Sequence, residues 1–271
     1  MSTLLSQENS VESQQSLVSL TKPTLSFILP IFNGGKEAAP RIIEWIETVG
    51  KNLPTFEILV VDDGSVDDTY KALKAINVPE LKIVRMDANR GKGAALKFGF
   101  GFVSGDVVIF ADGDLQALPS NFSAFIDSLK ESHAAIASKR VPGSEVVAGP
   151  KRKFLSVGFN CIVRLLLSLP LVDTQAGFKV FRRSALQKII PLISVKAYAF
   201  DVELLVLANL LGMRIAELPA SVTLESSFRS RNILRMLVDV LGIAYRLRIK
   251  RWYQKNMGDP SSKYRPILNW Q

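Results

Sequence analysis

The 271 residues are 48% hydrophobic and 22% charged, the balance of a globular chain with one large core or two modest ones. Thirty-four basic residues against 25 acidic ones give a net charge of +9, which points to an anionic partner. With Cys161 its only cysteine and His133 its only histidine, the chain has no internal disulfide, Cys-rich zinc site or two-histidine metal centre, and it suits a reducing compartment.

Residues 1–23 are rich in Ser and Gln, end at Pro23 and read as a mobile leader without the features of a secretory signal. "LSFILPIF" is then an apolar run of strand length. "KEAAPRIIEWIETVGKN" has helical spacing at Ile42, Trp45, Ile46 and Val49. "FEILVVDDGS" is a second buried strand, with a helix from about Asp67. "LKIVRMD" is a third strand and "GKGAALKFGFGFVSG" a helix. "DVVIFADGD" is a fourth strand, with a helix from about Pro119, and "AAIASKR" is a fifth. His133, just before that fifth strand, reads as solvated. This alternation predicts an α/β fold with a mostly parallel sheet and helices on both faces. Ligands of such sheets bind beyond the carboxyl ends of the strands, where Asp62, Asp63, Asp112 and Asp114 all fall.

The second half is less regular. "VPGSEVVAGPKRK" is a Gly/Pro-rich loop with a basic end, and an apolar helix follows to about Leu169. That helix carries Asn160 and Arg164 near its middle, which argues against a membrane span. "TQAGFKVFRR" reads as a strand or hairpin arm, "FDVELLVLANLLG" as a buried helix ended by Gly212, and "RIAELPASVTLE" as a strand. A long helix from about Arg231 to Gln254 closes the chain. The organisation is a leader (1–23), one catalytic domain (24–228) and a basic amphipathic C-terminal helix and tail (229–271).

Asp112 and Asp114 flank Gly113 at the end of an apolar strand. Residues i and i+2 of a strand point the same way, so the two carboxylates converge. Mg²⁺ or Mn²⁺ is held by one or two carboxylates, waters and substrate phosphates. A nucleoside diphosphate completes such a site. The alternative is a solvated acidic turn.

The ordered set "ILPIFN", "VVDDGSVDDT", "NRGKGAAL" and "FADGDLQ" resembles the nucleotide-sugar half of family 2 glycosyltransferases with the GT-A fold. "ASKRVPGS", "DTQAGFKVFRR" and "FDVELL" are similar to the dolichyl-phosphate glucose synthase and mannose synthase branches, and "DTQAGFK" is nearer the glucose branch. The likeness spans roughly residues 24–250. One departure is that the eukaryotic glucose synthases carry a membrane anchor before the catalytic domain, whereas residues 1–23 here are expected to form none. The resemblance implies that Asp112 and Asp114 hold the metal, with Gln116 at the metal or sugar phosphate. It implies that Pro30, Phe32 and Asn33 line the nucleotide pocket, that Asp62 and Asp63 bind base and ribose, and that Gly91 and Lys92 lie near the donor. Asp67 and Asp68 read as helix caps.

The acceptor implied is a polyprenyl phosphate, with UDP-glucose the favoured donor and GDP-mannose the alternative. A phosphate monoester is mostly dianionic at neutral pH and attacks without a strong base, so no histidine is needed. Cations must then gather the converging negative charge, and Arg140, Arg152 and Arg229 are the candidates, ahead of Lys151, Lys153 and Arg231. The last long segment carries Arg229, Arg231, Arg235, Arg246, Arg248, Lys250, Arg251 and Lys255 against Asp239 alone. With an apolar stripe at Ile233, Leu234, Leu237, Val240, Leu241 and Ala244 and interfacial Trp252 and Tyr253, it fits an anionic membrane surface. The same stripe also fits packing on the catalytic domain. The expected location is the cytoplasmic face of a membrane, peripherally bound. A transferase acting on a soluble or polysaccharide acceptor is the rival enzyme, with Asp173 or Asp201 as its base. A nucleic-acid binder would show basic residues interleaved with exposed aromatics, and none is found.

Overall fold

The computed structural model describes residues 24–53, 55–111, 119–223 and 230–257. In chain order the elements are β1 (Leu25–Ile31), α1 (Ala38–Asn52), β2 (Phe56–Asp62), α2 (Thr69–Lys74), β3 (Leu81–Arg85), α3 (Lys92–Phe100) and β4 (Val107–Phe110). Then come α4 (Phe122–Ser128), β5 (Ala134–Ser138), β6 (Glu145–Val147), α5 (Pro150–Leu167), β7 (Lys179–Arg182), α6 (Arg183–Ile189) and α7 (Phe200–Leu210). The chain closes with β8 (Ile215–Pro219), β9 (Ser221–Thr223), α8 (Ser230–Ala244), a π turn (Tyr245–Ile249) and α9 (Trp252–Asn256).

Seven of the described strands form one sheet in the order β3-β2-β1-β4-β7-β5-β8. All neighbours run parallel except β7, which is antiparallel to both β4 and β5. The mostly parallel sheet suggested by strand–helix alternation is borne out, with β7 the one reversed strand. Reversing β7 brings its first residue, Lys179, to the edge where β4 and β5 end, opposite Phe110 and Ile136. The pair β6–β9 extends the β5–β8 pair beyond a break at Ala220, where the sequence pattern read one strand.

The period of two in the strands explains the layers. Phe27, Leu29, Ile58, Val60, Val107 and Ile109 face a core with Ile42, Trp45 and Val49 of α1 and Phe122 and Phe125 of α4. Ile28, Leu59, Val61, Val108 and Phe110 face the other core, with Leu96 of α3, Leu204 of α7, and Val240 and Ile243 of α8. Both faces are covered, so the strands read as unbroken apolar runs.

The predicted C-terminal helix is broken. It passes through the π turn and stops where Arg251 adopts a left-handed φ of 49°. That reversal drives Tyr253 into the core, fully buried, instead of leaving it at an interface. Trp252 packs partly buried against the same core. His133 also departs from expectation. It is half-buried, its N–H donates to the Arg214 carbonyl (2.9 Å), and its Nδ1 accepts from the Arg214 N–H (3.1 Å). It pins β5 to β8 at the amino edge of the sheet, opposite the expected site. Burial and nearby Arg214, Arg182 and Lys188 hold its pKa below the usual histidine value.

Candidate active site

The strand order reverses between β1 and β4, which makes this the switch point where α/β sheets open a crevice. β4 pairs with β1 only as far as Phe110 opposite Ile28. Past that point β1 keeps only β2, so Pro30, which has no N–H to give, sits in β1 opposite Val61. Asp112, Asp114 and Gln116 follow directly after β4 and lie outside the described residues, as does Arg229. Among the described residues no group of three or more His, Cys, Asp or Glu could hold a metal ion.

The two loops beside that crevice are stitched together. Asn33, with φ of 50°, donates its N–H to Ser65 Oγ (2.9 Å), and its Oδ1 accepts the Val66 N–H (3.0 Å). Asp67 accepts the N–H groups of Gly35 and Thr69, each at 3.0 Å, whereas Asp68, at the N-cap position of α2, makes no side-chain capping bond. Phe32 stands 46% exposed at the strand end. Asp62 is fully buried; Oδ1 accepts the Ser65 N–H (2.9 Å) and Oδ2 pairs with Arg85 Nε (3.2 Å). Asp63 accepts the N–H groups of Arg90 and Gly91, both at 2.8 Å. Burial raises the Asp63 pKa, an effect those two bonds oppose. Both acids thus have a structural task that the sequence pattern does not reveal: they shape the loops around the crevice.

Gly91 has φ of +95°, and a Cβ there would lie 2.7 Å from the Lys196 carbonyl. The close approach it permits in this structure is to the 194–197 loop. Lys92 Nζ, at the start of α3, pairs with Asp201 Oδ2 (2.9 Å). Fully buried Lys179 pairs with Asp201 Oδ1 (2.8 Å). Burial works against the Asp201 charge, but Lys179 and Lys92 outweigh it and hold that carboxyl below the usual range. A similar lock forms one strand away. Asp173 accepts the N–H groups of Lys139 and Gln175, both at 2.9 Å, and pairs with Lys139 Nζ at 3.3 Å. Burial again opposes the charge, and Lys139 with these bonds keeps its pKa low.

Arg140 follows β5 at the same edge. Its Nη2 donates to the carbonyl (2.8 Å) and hydroxyl (2.9 Å) of Ser156 on α5, and its Nε is buried without a hydrogen-bond partner. Arg152 is half-buried in the first turn of α5. The rest of that helix is unusual in what it leaves outside. Phe154 (80%), Leu155, Val157, Ile162 and Leu165 (78%) are exposed, together with Cys161. α8 packs beside α5 and exposes Leu234, Val238 and Leu241, a stripe that Tyr245 and Ile249 continue. Its inner stripe of Met236, Val240 and Ile243 is buried, so the packing reading of this helix holds on that face, while the outer face stays exposed.

Not all the basic residues of this segment are available to an anionic surface. Arg248 donates to the carbonyl of Leu166 (2.8 Å) and to Ser168 Oγ (2.9 Å), capping the end of α5. Arg246 turns inward to Glu203 (3.3 Å). The residues that sequence reasoning passed over here are Lys139, Lys179 and Glu203. The available signal was charge inside apolar runs, as in "GFKVF" and "FDVELLVL", because a buried charge requires a partner.

The sequence profile described as Glycosyl transferase family 2 matches residues 26–190. A dolichyl-phosphate beta-glucosyltransferase of Trichomonas vaginalis is 29% identical over 251 residues, covering 86% of this chain and 74% of that protein. The dolichyl-phosphate beta-glucosyltransferase of Homo sapiens is 30% identical over 217 residues, covering 73% and 67% respectively. The crystal structure of Mycobacterium tuberculosis glucosyl-3-phosphoglycerate synthase with Mn²⁺, UDP and glucosyl-3-phosphoglycerate matches with a TM-score of 0.63. That match has 20% identity and covers 83% of this chain and 80% of the other, a likeness of fold alone.

Proposed function

The chain belongs to glycosyl transferase family 2 and has its GT-A fold, and from that premise we propose that it transfers glucose from UDP-glucose to a polyprenyl phosphate at a membrane surface. The donor and acceptor names follow those of its relatives. The observation that carries the acceptor class is the state of Asp173 and Asp201. A hydroxyl acceptor needs a base, and these two acids are each ion-paired to lysine with lowered pKa. A phosphate dianion needs none.

In the reaction an acceptor phosphate oxygen forms a bond to the anomeric carbon as the bond from that carbon to UDP breaks. UDP leaves with the electron pair, and the configuration inverts from α to β. Asp112, Asp114 and Gln116 offer hard oxygen donors suited to Mg²⁺ or Mn²⁺, which when bound neutralises the diphosphate leaving group. Phe32 and Asn33 flank the donor crevice. Asp62 and Asp63 hold its loops, and their proposed contact with base and ribose requires a shift of the bonds they make here. Arg140, with its unpartnered Nε, gathers the acceptor phosphate, assisted by Arg152 and Arg229.

The lipid chain of the acceptor enters from the bilayer along the exposed apolar faces of α5 and α8. Contiguous apolar surface of this kind marks an interaction site. Exposed Lys153, Arg164, Arg235, Lys250, Arg251 and Lys255 favour an anionic leaflet. No described helix is long and apolar enough to cross a membrane, so the contact proposed is peripheral. The face proposed is the cytoplasmic one. Incubation with UDP-[¹⁴C]glucose and a short polyprenyl phosphate tests the activity. The expected product is organic-extractable and labile to mild acid. Label only from GDP-mannose would overturn the donor, and label only in water-soluble glycan would overturn the acceptor.

A further inference from the structure

Glu203 is fully buried on α7, and its two oxygens face two different parts of the chain. Oε2 accepts the N–H groups of Ser194 (2.9 Å) and Val195 (2.7 Å). Oε1 accepts the Tyr253 hydroxyl of α9 and lies 3.3 Å from Arg246 Nη2 of the π turn. Arg246 Nε also donates to the Tyr253 hydroxyl oxygen (3.0 Å). A buried carboxylate that leaves water is retained only with such a full set of donors.

The backbone held by Oε2 leads directly to the donor crevice. Lys196, next in the chain, accepts the Ala94 N–H of α3 at 3.0 Å through its carbonyl. That same carbonyl crowds Gly91, whose N–H donates to Asp63. Two residues earlier on α7, Asp201 holds Lys92. On the outer side the 194–197 loop is not packed flush against α8. A cleft of about 420 Å³ separates them, lined by Val195, Lys196, Val238, Asp239, Gly242 and Arg246. Glu203 joins that loop to Arg246, which lines the cleft, and to Tyr253.

We propose that Glu203 is a positioning residue that ties the placement of the C-terminal segment to the loop shaping the donor crevice. The segment that seats Tyr253 and Arg246 is continuous with the apolar stripe of α8. Seating that stripe therefore reaches Gly91 and Lys92 through one carboxylate. The direction of effect rests on the donor reading above, but the mechanical link does not.

The test uses the full chain with Tyr253→Phe, which keeps the ring in the core and removes only the hydroxyl, and Glu203→Gln beside it. Losing a hydrogen bond to a charged group corresponds to roughly a tenfold change in a local opening equilibrium. Hydrogen exchange should therefore quicken by about that factor at the amides of 91–97 and 194–197, with β1 and β2 unchanged. Unchanged exchange at 91–97 in both variants would overturn the link. In kinetics, KM for UDP-glucose should rise about fivefold, with kcat and the acceptor KM within about twofold. A fall in kcat with the donor KM unmoved would overturn the positioning role. If the wild-type chain does not turn over UDP-glucose, the activity proposal falls, and hydrogen exchange still decides the link.

Discussion

Helices α1 and α8 are each fifteen residues long, and each buries one apolar stripe against the sheet. They differ on the other side. α1 turns Arg41, Glu44, Glu47 and Lys51 outward beside Ile43, as a helix facing water does. α8 turns out Leu234 (63% exposed), Val238 (60%) and Leu241 (51%). Amphipathic pattern alone describes α1 completely and α8 only by half. The outer face of α8 is apolar as well, and so is that of neighbouring α5, with its exposed Phe154 and Leu165.

The largest effect expected separates chemistry from this contrast. Asp112→Asn or Asp114→Asn should lower transfer at least ~100-fold, as loss of preorganised charge stabilisation does, and EDTA should do the same. Cosedimentation with anionic vesicles should be unchanged. Full activity in either variant or in EDTA refutes the shared-metal reading.

Next in size is the contrast itself. Burying one leucine side chain is worth roughly 2 kcal/mol, so Leu234→Asp or Leu241→Asp should weaken vesicle binding about 10- to 100-fold. Ile43→Asp on α1 should leave binding where it was. Equal losses from both helices in vesicle titrations would erase the distinction. Binding indifferent to salt and lipid charge would remove the electrostatic part of it.

A smaller effect is expected at the junction of donor crevice and apolar surface. Arg140→Ala removes a guanidinium tied to Ser156 of α5. It should raise the KM for polyprenyl phosphate about tenfold and leave UDP affinity unaltered. Steady-state kinetics with each substrate varied in turn would show the reverse pattern if Arg140 served the donor.

The smallest effect lies outside both helices, at the start of β2. Glu57 accepts from Ser26 Oγ (2.7 Å) and the Ser104 N–H (2.7 Å), and pairs with Lys82 (2.6 Å). Burial alone would raise its pKa, but bonds from Lys82, Ser104 and Ser26 bring it from 4.5 to about 2. A folded-state value below the unfolded one adds stability that is present above pH 4.5 and lost as pH falls toward 2. Glu57→Gln should therefore cost about 1 kcal/mol near neutral pH, and the deficit should shrink on acidification. Chemical denaturation at pH 7 and pH 3 measures both, and activity should not change.

Much of the donor half was readable because its signals are local. β1, β2 and β4 are continuous apolar runs between polar turns, and α1 has a single-sided stripe with charges opposite. The reversal of β7 was not readable, since pairing direction is decided by partners distant in sequence. Nor was α6, which starts at Arg183 with no spacer after β7. The stop at Arg251 carries no Gly or Pro to mark it. At the site, the strand-end positions of Asp62 and Asp63 were legible, but their hold on Ser65, Arg90 and Gly91 depends on tertiary contact. Tyr253 looked interfacial because aromatic rings beside basic residues have that composition. Its burial is specified by Glu203, fifty positions away.

The outward placement of Cys161 on α5 has a practical consequence. It is the only thiol in the chain and it stands among Val157, Ile162 and Leu165 on the exposed apolar face. A polarity-sensitive maleimide dye would therefore attach at one known place without engineering. Its emission would act as a depth gauge, reporting whether that helix enters lipid when vesicles are added.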